Sequence, residues 1–276
     1  VVPYTRGAEF SRSLKELVIE ANQLVENGAK EITLLGQNVN AYNNNNKSLS
    51  DIIYSLEEKK DLIRIRYTTS HPKDMTKDLI RAHKDCKKLM PLLHLPIQSG
   101  SDKVLRNMNR KHDIKKYLDI IDILREKNPK IKFASDFIIA YPGETNDDFN
   151  KTCNLMKKIK FINSYSYIFS PRPGTPASKL KLIDKDTSHL RLKIIQDELF
   201  KIQIAKNKQM ENKEVEVLVE NKMNDGINFF GRTLKMNSVI INSSICNPGD
   251  LIKVKIKSSN KNNLFGDHIV KKTEAA

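Results

Sequence analysis

Cysteine is scarce in this chain and scattered. Cys86, Cys153 and Cys246 are the three among 276 residues, and no two form a C-x-x-C pair. That spacing excludes a disulfide framework and a zinc finger. Cys153 shares a helical face with Phe149 and Met156, which places its thiol in a core. Long apolar runs are missing too, and none approaches the roughly 18 residues that a membrane helix needs. The first seven residues lead into a charged amphipathic segment rather than the apolar stretch of a signal peptide. These two absences point to the cytoplasm. G-x-G-x-x-G, P-loop, G-x-S-x-G and H-E-x-x-H patterns are absent as well, so hydride transfer, phosphoryl transfer and serine hydrolysis lose support.

Positive charge is plentiful. The formal net charge is +15, against an ordinary 39% hydrophobic and 29% charged content. Residues 211–276 hold ten Lys+Arg and eight Asp+Glu, so the other +13 lies in 1–210. Such an excess favours a polyanionic partner, because each neutralised phosphate releases counterions. Charge alone does not separate that reading from compositional bias, of which the run Asn43-Asn44-Asn45-Asn46 is a sign.

Residues 1–210 alternate between helix and strand. Ser13-x-x-Glu16 is a capping box ahead of Leu14, Leu17, Val18, Ala21, Leu24 and Val25 at helical spacing, with Gly28 as the stop. Strand-like runs fall at 31–35, 62–67, 90–95, 131–139 and 163–169. Helical segments fall at 49–58, 77–84, 114–127 and 147–160, followed by a long helix over 184–210. Apolar strands separated by helices predict a parallel sheet with right-handed crossovers, either an incomplete α/β barrel or an open doubly wound sheet. After residue 210 the period becomes two: Val215, Val217 and Val219 alternate with glutamates, and Ile252, Val254 and Ile256 with Lys253, Lys255 and Lys257. With turns at Asp225-Gly226 and Asn247-Pro248-Gly249-Asp250, residues 211–276 predict a small antiparallel β-barrel.

Parallel α/β sheets bind ligands beyond the carboxyl ends of their strands. The five ends here read Gly36-Gln37-Asn38-Val39-Asn40, Thr68-Thr69-Ser70-His71-Pro72, His94-Leu95-Pro96-Ile97-Gln98-Ser99-Gly100-Ser101, Ser135-Asp136-Phe137 with Tyr141-Pro142-Gly143-Glu144, and Ser170-Pro171-Arg172-Pro173-Gly174-Thr175-Pro176. One such segment signals only a turn or a cap. Five on one rim offer amide, hydroxyl and backbone groups suited to a zwitterionic, nucleoside-containing ligand. His94, within a strand, reads as a core histidine. At His71 ligand contact and local capping stand equal.

Together with Val1-Val2-Pro3-Tyr4-Thr5-Arg6-Gly7 and Leu34-Leu35 ahead of Gly36, these segments, in order over nearly the whole chain, resemble the MiaB-type tRNA methylthiotransferases. The Gln37-Asn38-Val39-Asn40 turn resembles the branch acting on dimethylallyl- or isopentenyl-adenosine. The resemblance implies a radical S-adenosylmethionine partial (β/α) barrel over 1–210 and a TRAM-like RNA-binding barrel over 211–276. It also implies two 4Fe–4S clusters. One cleaves S-adenosylmethionine to a 5′-deoxyadenosyl radical that takes hydrogen from C2 of the modified adenosine beside the anticodon. The other, in a further domain, supplies sulfur, and a second S-adenosylmethionine methylates it. By motif match, Gln37 and Asn38 would line the cofactor's methionine end. Gln98, Ser99 and Asp136 would line its ribose or carboxylate side, while Glu144 and Arg172 would shape the same rim.

The family's C-x3-C-x2-C loop ends just before the segment matching Val1-Val2-Pro3-Tyr4, and the three cysteines here match no ligand position. The expectation is therefore a chain that performs no methylthiolation alone, working as a monomer or with a separate polypeptide that supplies the cluster half. The alternatives are a non-catalytic tRNA-binding remnant, with Lys253, Lys255 and Lys257 tracking phosphate or merely guarding a strand edge, and a decayed protein. An apolar sheet edge near the first helix, and poor solubility, are also expected.

Overall fold

A computed structural model of the chain describes Gly7 and residues 10–270. Val1–Arg6 of the first motif lie outside the described residues. The chain divides into two compact units, one reaching Leu199 and the other running from Phe200, with residues 28–30 counted in the second.

In the first unit, helix α1 (Leu14–Glu26) starts where the sequence signals it, with Ser13 and Glu16 forming a reciprocal capping box. Strand β1 (Glu31–Leu34) pairs in parallel with β4 (Arg64–Tyr67). Between them lie a small hairpin, β2 (Asn43–Asn44) and β3 (Lys47–Ser48), and helix α2 (Leu49–Glu57). The hairpin turns through Asn45 and Asn46 at positive φ, so the asparagine run has a local structural use. Helix α3 (Lys77–Asp85) leads to β5 (Leu92–His94), then α4 (Asp102–Asn107) and α5 (Ile114–Lys127). β6 (Lys132–Ala134), β7 (Asp136–Ile139), α6 (Asn146–Ile159), β8 (Tyr165–Ile168) and the start of α7 (Lys185–Lys208) complete the unit. β5 pairs in parallel with β6, and β7 with β8. Single bridges, Ile65 to Leu89 and Gln98 to Phe137, join these pairs. The result is an open parallel sheet with helices on one face, a partial barrel.

The expected strand over 131–139 is two strands broken at Ser135. Its Oγ accepts from the Ile97 N–H at 3.0 Å, its N–H donates to Ser164 Oγ, and its carbonyl accepts from the Tyr165 N–H. One residue thus passes the ladder from β5 to β8, which requires the break. The short helix α4 was not legible in the hydropathy pattern.

The core lies between sheet and helices. Ile53, Leu56, Ile65, Leu93, Ile121, Leu124, Phe137 and Ile139 are wholly buried there, and Phe137 meets Phe161 edge to face at 5.5 Å. Cys153 packs against this core. Phe10, Leu24 and Leu35 are exposed apolar side chains.

In the second unit, β9 (Glu214–Lys222), β10 (Asn228–Thr233), β11 (Ser238–Asn242), β12 (Leu251–Ser259) and β13 (Asn263–His268) close into a barrel of order β10-β11-β13-β12-β9. Val217, Val219, Val239, Ile241, Val254, Ile256 and Leu264 fill it. The barrel is not wholly antiparallel, because β11 and β13 run parallel. Gly231 sits at the bulge between β9 and β10, where a Cβ would run into the Leu218 carbonyl.

Candidate functional site

The rim beyond the strand ends is built from tightly cross-linked loops. After β1, Asn40 clasps the loop after β4: its Nδ2 donates to the His71 carbonyl at 2.9 Å and its Oδ1 accepts the His71 N–H at 2.8 Å. Asn38 Nδ2 donates to Asp74 Oδ2 at 2.7 Å, while its Oδ1 is buried without a partner. Ser70 Oγ is orphaned in the same way. Gln37 is exposed and makes no hydrogen bond among the described residues. Two orphaned buried acceptors on adjoining loops leave polar valence for a ligand.

Backbone strain gathers on the same rim. Thr69, Gln98 and Ala140 follow β4, β5 and β7 and hold φ of 62°, 72° and 59°. A β-branched or long side chain in that region costs on the order of 1–3 kcal/mol, and such residues gather at binding sites. Gln98 donates its N–H to the Asp136 carbonyl and accepts from the Ile138 N–H, both at 2.9 Å. Its backbone is therefore locked beside β7 while its side-chain amide keeps its hydrogen-bonding capacity.

The next three residues turn away from the rim. Gly100 donates to Thr152 Oγ1 at 2.9 Å, and a Cβ there would lie 2.5 Å from Thr152 Cα. Ser101 Oγ donates to Asp148 Oδ1 at 2.6 Å. Burial pushes the Asp148 carboxyl up, but hydrogen bonds from Ser101 and Thr145, with Lys103, hold it well below the usual range. Ser99 is buried, with its Oγ accepting from the Ser101 N–H and close to Thr152. The expectation of Ser99 facing a ligand gives way to a packing role against α6.

Glu144 is fixed in the loop after β7 by a buried ion pair. Its Oε1 accepts from the Ala140 N–H at 3.2 Å and from Arg191 Nη1 at 2.8 Å, with both side chains buried. Burial raises the carboxyl above its ordinary value, against the pull of Arg191. Arg191 also donates to the Glu144 carbonyl and to Asn146 Oδ1, so this pair clamps the loop after β7. Arg172 is exposed, and its carbonyl caps the Thr175 N–H and hydroxyl.

Asp136 lies on the sheet face opposite the helices and meets His94 Nε2 at 3.1 Å. His94 is therefore not a core histidine, because the second face of its strand is uncovered. The ring of His71 stands 5.3 Å from that of His112. Burial pushes His112 down to about 4, with the charges of His71 and Arg110 adding to it. Burial also lowers Arg110, against the pull of nearby Asp136, and its guanidinium makes no hydrogen bond among the described residues. Sequence reading missed Arg110 and His112, since nothing local marks a residue that a loop folds into the rim.

Among the described residues no group of three His, Cys, Asp or Glu is placed to hold a metal. The Cys86 thiol is pushed up to about 12 by burial, and Cys246 is buried in the barrel core. The described residues therefore do not fit an iron–sulfur cluster, which needs clustered thiolates. On the barrel, Lys253 stands opposite Glu216, Lys255 opposite Glu214 and Asp267, and Lys257 pairs with Asp267 at 3.3 Å. Each lysine has an acidic neighbour.

The Radical SAM superfamily model matches residues 2–156, more than half of the chain. The chain belongs to the radical SAM superfamily. The TRAM domain model matches residues 208–269 of this radical SAM protein. It is 58% identical over 270 residues to a tRNA-2-methylthio-N(6)-dimethylallyladenosine synthase of Pelagibacter ubique, covering 96% of this chain and 60% of that one. A synthase of the same name from Rickettsia akari is 47% identical over 276 residues, covering 97% and 62%. The chain thus spans about three fifths of the length of these relatives. Among solved structures, coproporphyrinogen III oxidase of Escherichia coli, a radical SAM enzyme, superposes with a TM-score of 0.53 at 13% identity, covering 94% of this chain and 66% of that one. Methylornithine synthase gives 0.50 at 14%, covering 73% and 58%. These two support the fold alone. No helix among the described residues is long and apolar enough to cross a membrane.

Proposed function

We propose that this radical SAM protein is the barrel and RNA-binding part of a tRNA methylthiotransferase acting at C2 of N6-dimethylallyladenosine or its isopentenyl equivalent. The observation that carries the reading is the rim. Orphaned acceptors on Asn38 and Ser70, the unpaired Gln98 amide and a half-buried Arg110 suit a zwitterionic nucleoside cofactor, S-adenosylmethionine. Bound there, that cofactor supplies a radical precursor and a methyl group. Gln37, Asn38, Gln98 and Asp136 are its proposed contacts. Glu144 and Arg172, the latter on an exposed loop, are proposed to shape the same rim.

The barrel unit would bring tRNA, with Lys253, Lys255 and Lys257 as its proposed phosphate contacts. Their acidic neighbours would be displaced on binding, so each contributes less than a full phosphate neutralisation. The domain limits proposed are 1–210 and 211–276. Because the described residues lack a cluster site, the thiolates come from sequence beyond them, on this polypeptide or a second one. Iron and sulfide analysis after anaerobic reconstitution tests this. Negligible iron in the 276-residue chain is expected. Close to four irons per chain would show that the scattered cysteines are ligands after all.

A further inference from the structure

Parallel strands are normally buried on both faces. β8 breaks that rule in a specific way. Tyr165 and Tyr167, two apart on the strand, are 60% and 56% exposed. They pair in register with Asp136 and Ile138 of β7. Partners in a parallel ladder point to the same side, so both tyrosines share the open face with Asp136 and, through it, His94. Phe137 and Ile139 take the opposite side, into the helix layer. Neither phenol makes a hydrogen bond among the described residues.

Two bare aromatic rings about 7 Å apart along a strand carry a surface cost that a partner must offset. Their faces suit a planar heterocycle, and the unit bearing them holds the larger share of a +15 charge, complementary to a polyanion. We infer that Tyr165 and Tyr167 form a stacking platform for a nucleobase of the RNA substrate, beside the Asp136–His94 pair on the open face of the partial barrel. The inference rests on the RNA substrate proposed above and names the residues that seat it. Stacking holds the base while His94, steadied by Asp136, supplies a polar group at its edge, the combination by which unstacked RNA bases are read.

The chain has no tryptophan, so Tyr165→Trp gives a single-tryptophan protein that reports on this face directly. The probes are an anticodon stem-loop carrying N6-dimethylallyladenosine and, separately, S-adenosylmethionine. The expected result is saturable quenching by the stem-loop. In the otherwise native chain, Tyr165→Ala with Tyr167→Ala should lose about 5- to 150-fold in stem-loop affinity, from stacking on one base. The Tyr→Phe pair should retain it. Circular dichroism would confirm that the exposed sites tolerate substitution.

If the stem-loop binds the native chain but neither quenching nor an affinity loss appears, the platform is wrong and RNA binding stands. If S-adenosylmethionine quenches and RNA does not, the rings serve the cofactor's adenine and the inference is overturned. Failure of the native chain to bind the stem-loop would sink the parent reading as well.

Discussion

Arg191→Met isolates the clamp that holds the loop after β7. The substitution keeps most of the side-chain volume and leaves a buried Glu144 carboxylate with only the Ala140 N–H at 3.2 Å as partner. It also removes the donors to the Glu144 carbonyl and to Asn146. Breaking one side of a buried pair costs about 3–5 kcal/mol. Glu144→Gln should cost less, about 1–3 kcal/mol, because Arg191 keeps two of its three acceptors.

The pH dependence gives the sharper test. The Glu144 carboxyl is already raised in the native protein, and losing Arg191 raises it further. The native state then binds more protons than the unfolded state, so stability falls as pH rises through this range. The penalty of Arg191→Met should therefore be largest near neutrality and shrink on acidification as Glu144 takes up a proton. Urea unfolding followed by circular dichroism at pH 7 and pH 5 measures both quantities. A penalty under about 1 kcal/mol at pH 7, well below the expected range, or one that does not change with pH, would refute the reasoning.

Two further outcomes follow from the same geometry. Gly100→Ala should destabilise the first unit by about 1–3 kcal/mol through overpacking, since its Cβ would meet Thr152 Cα at 2.5 Å and the Lys151 carbonyl at 2.6 Å. Denaturant midpoints would show it. The wholly buried His83, bonded to the Tyr67 hydroxyl, is pushed down to about 4 from 6.5. The unfolded chain protonates first, so about 3 kcal/mol of stability should be lost as pH falls from 6.5 to 4, and the loss should level off below that. His83→Gln should make the acid limb shallower, leaving the share due to His112, and an unchanged limb would count against this.

The order of helices and strands was legible because most strands sit in short runs rich in apolar residues and helices begin at a Ser, Thr or Asp cap, as at Ser13, Thr76, Asp113 and Thr145. The rim segments were legible as motifs, yet the direction of each side chain was not. Ser99 and Glu144 read like ligand residues because they sit in polar loops. What turned them inward was Thr152 and Arg191, which lie 53 and 47 residues away. Arg110 and His112 carried no local signal. The alternation of Tyr165 and Tyr167 was visible in the sequence, but their exposure depends on a sheet face left open, which no strand pattern announces.

The sheet of the first unit is a set of paired strands whose pairs meet at one-residue joints, Ile65 with Leu89 and Gln98 with Phe137. Amides at such joints should exchange with solvent sooner than those inside the pairs, so the sheet should breathe along two lines. Gln98 lies on one of them and is also a proposed ligand contact. A bound molecule that grips it would act as a staple across the line, turning occupancy into slower exchange at the Ile138 amide.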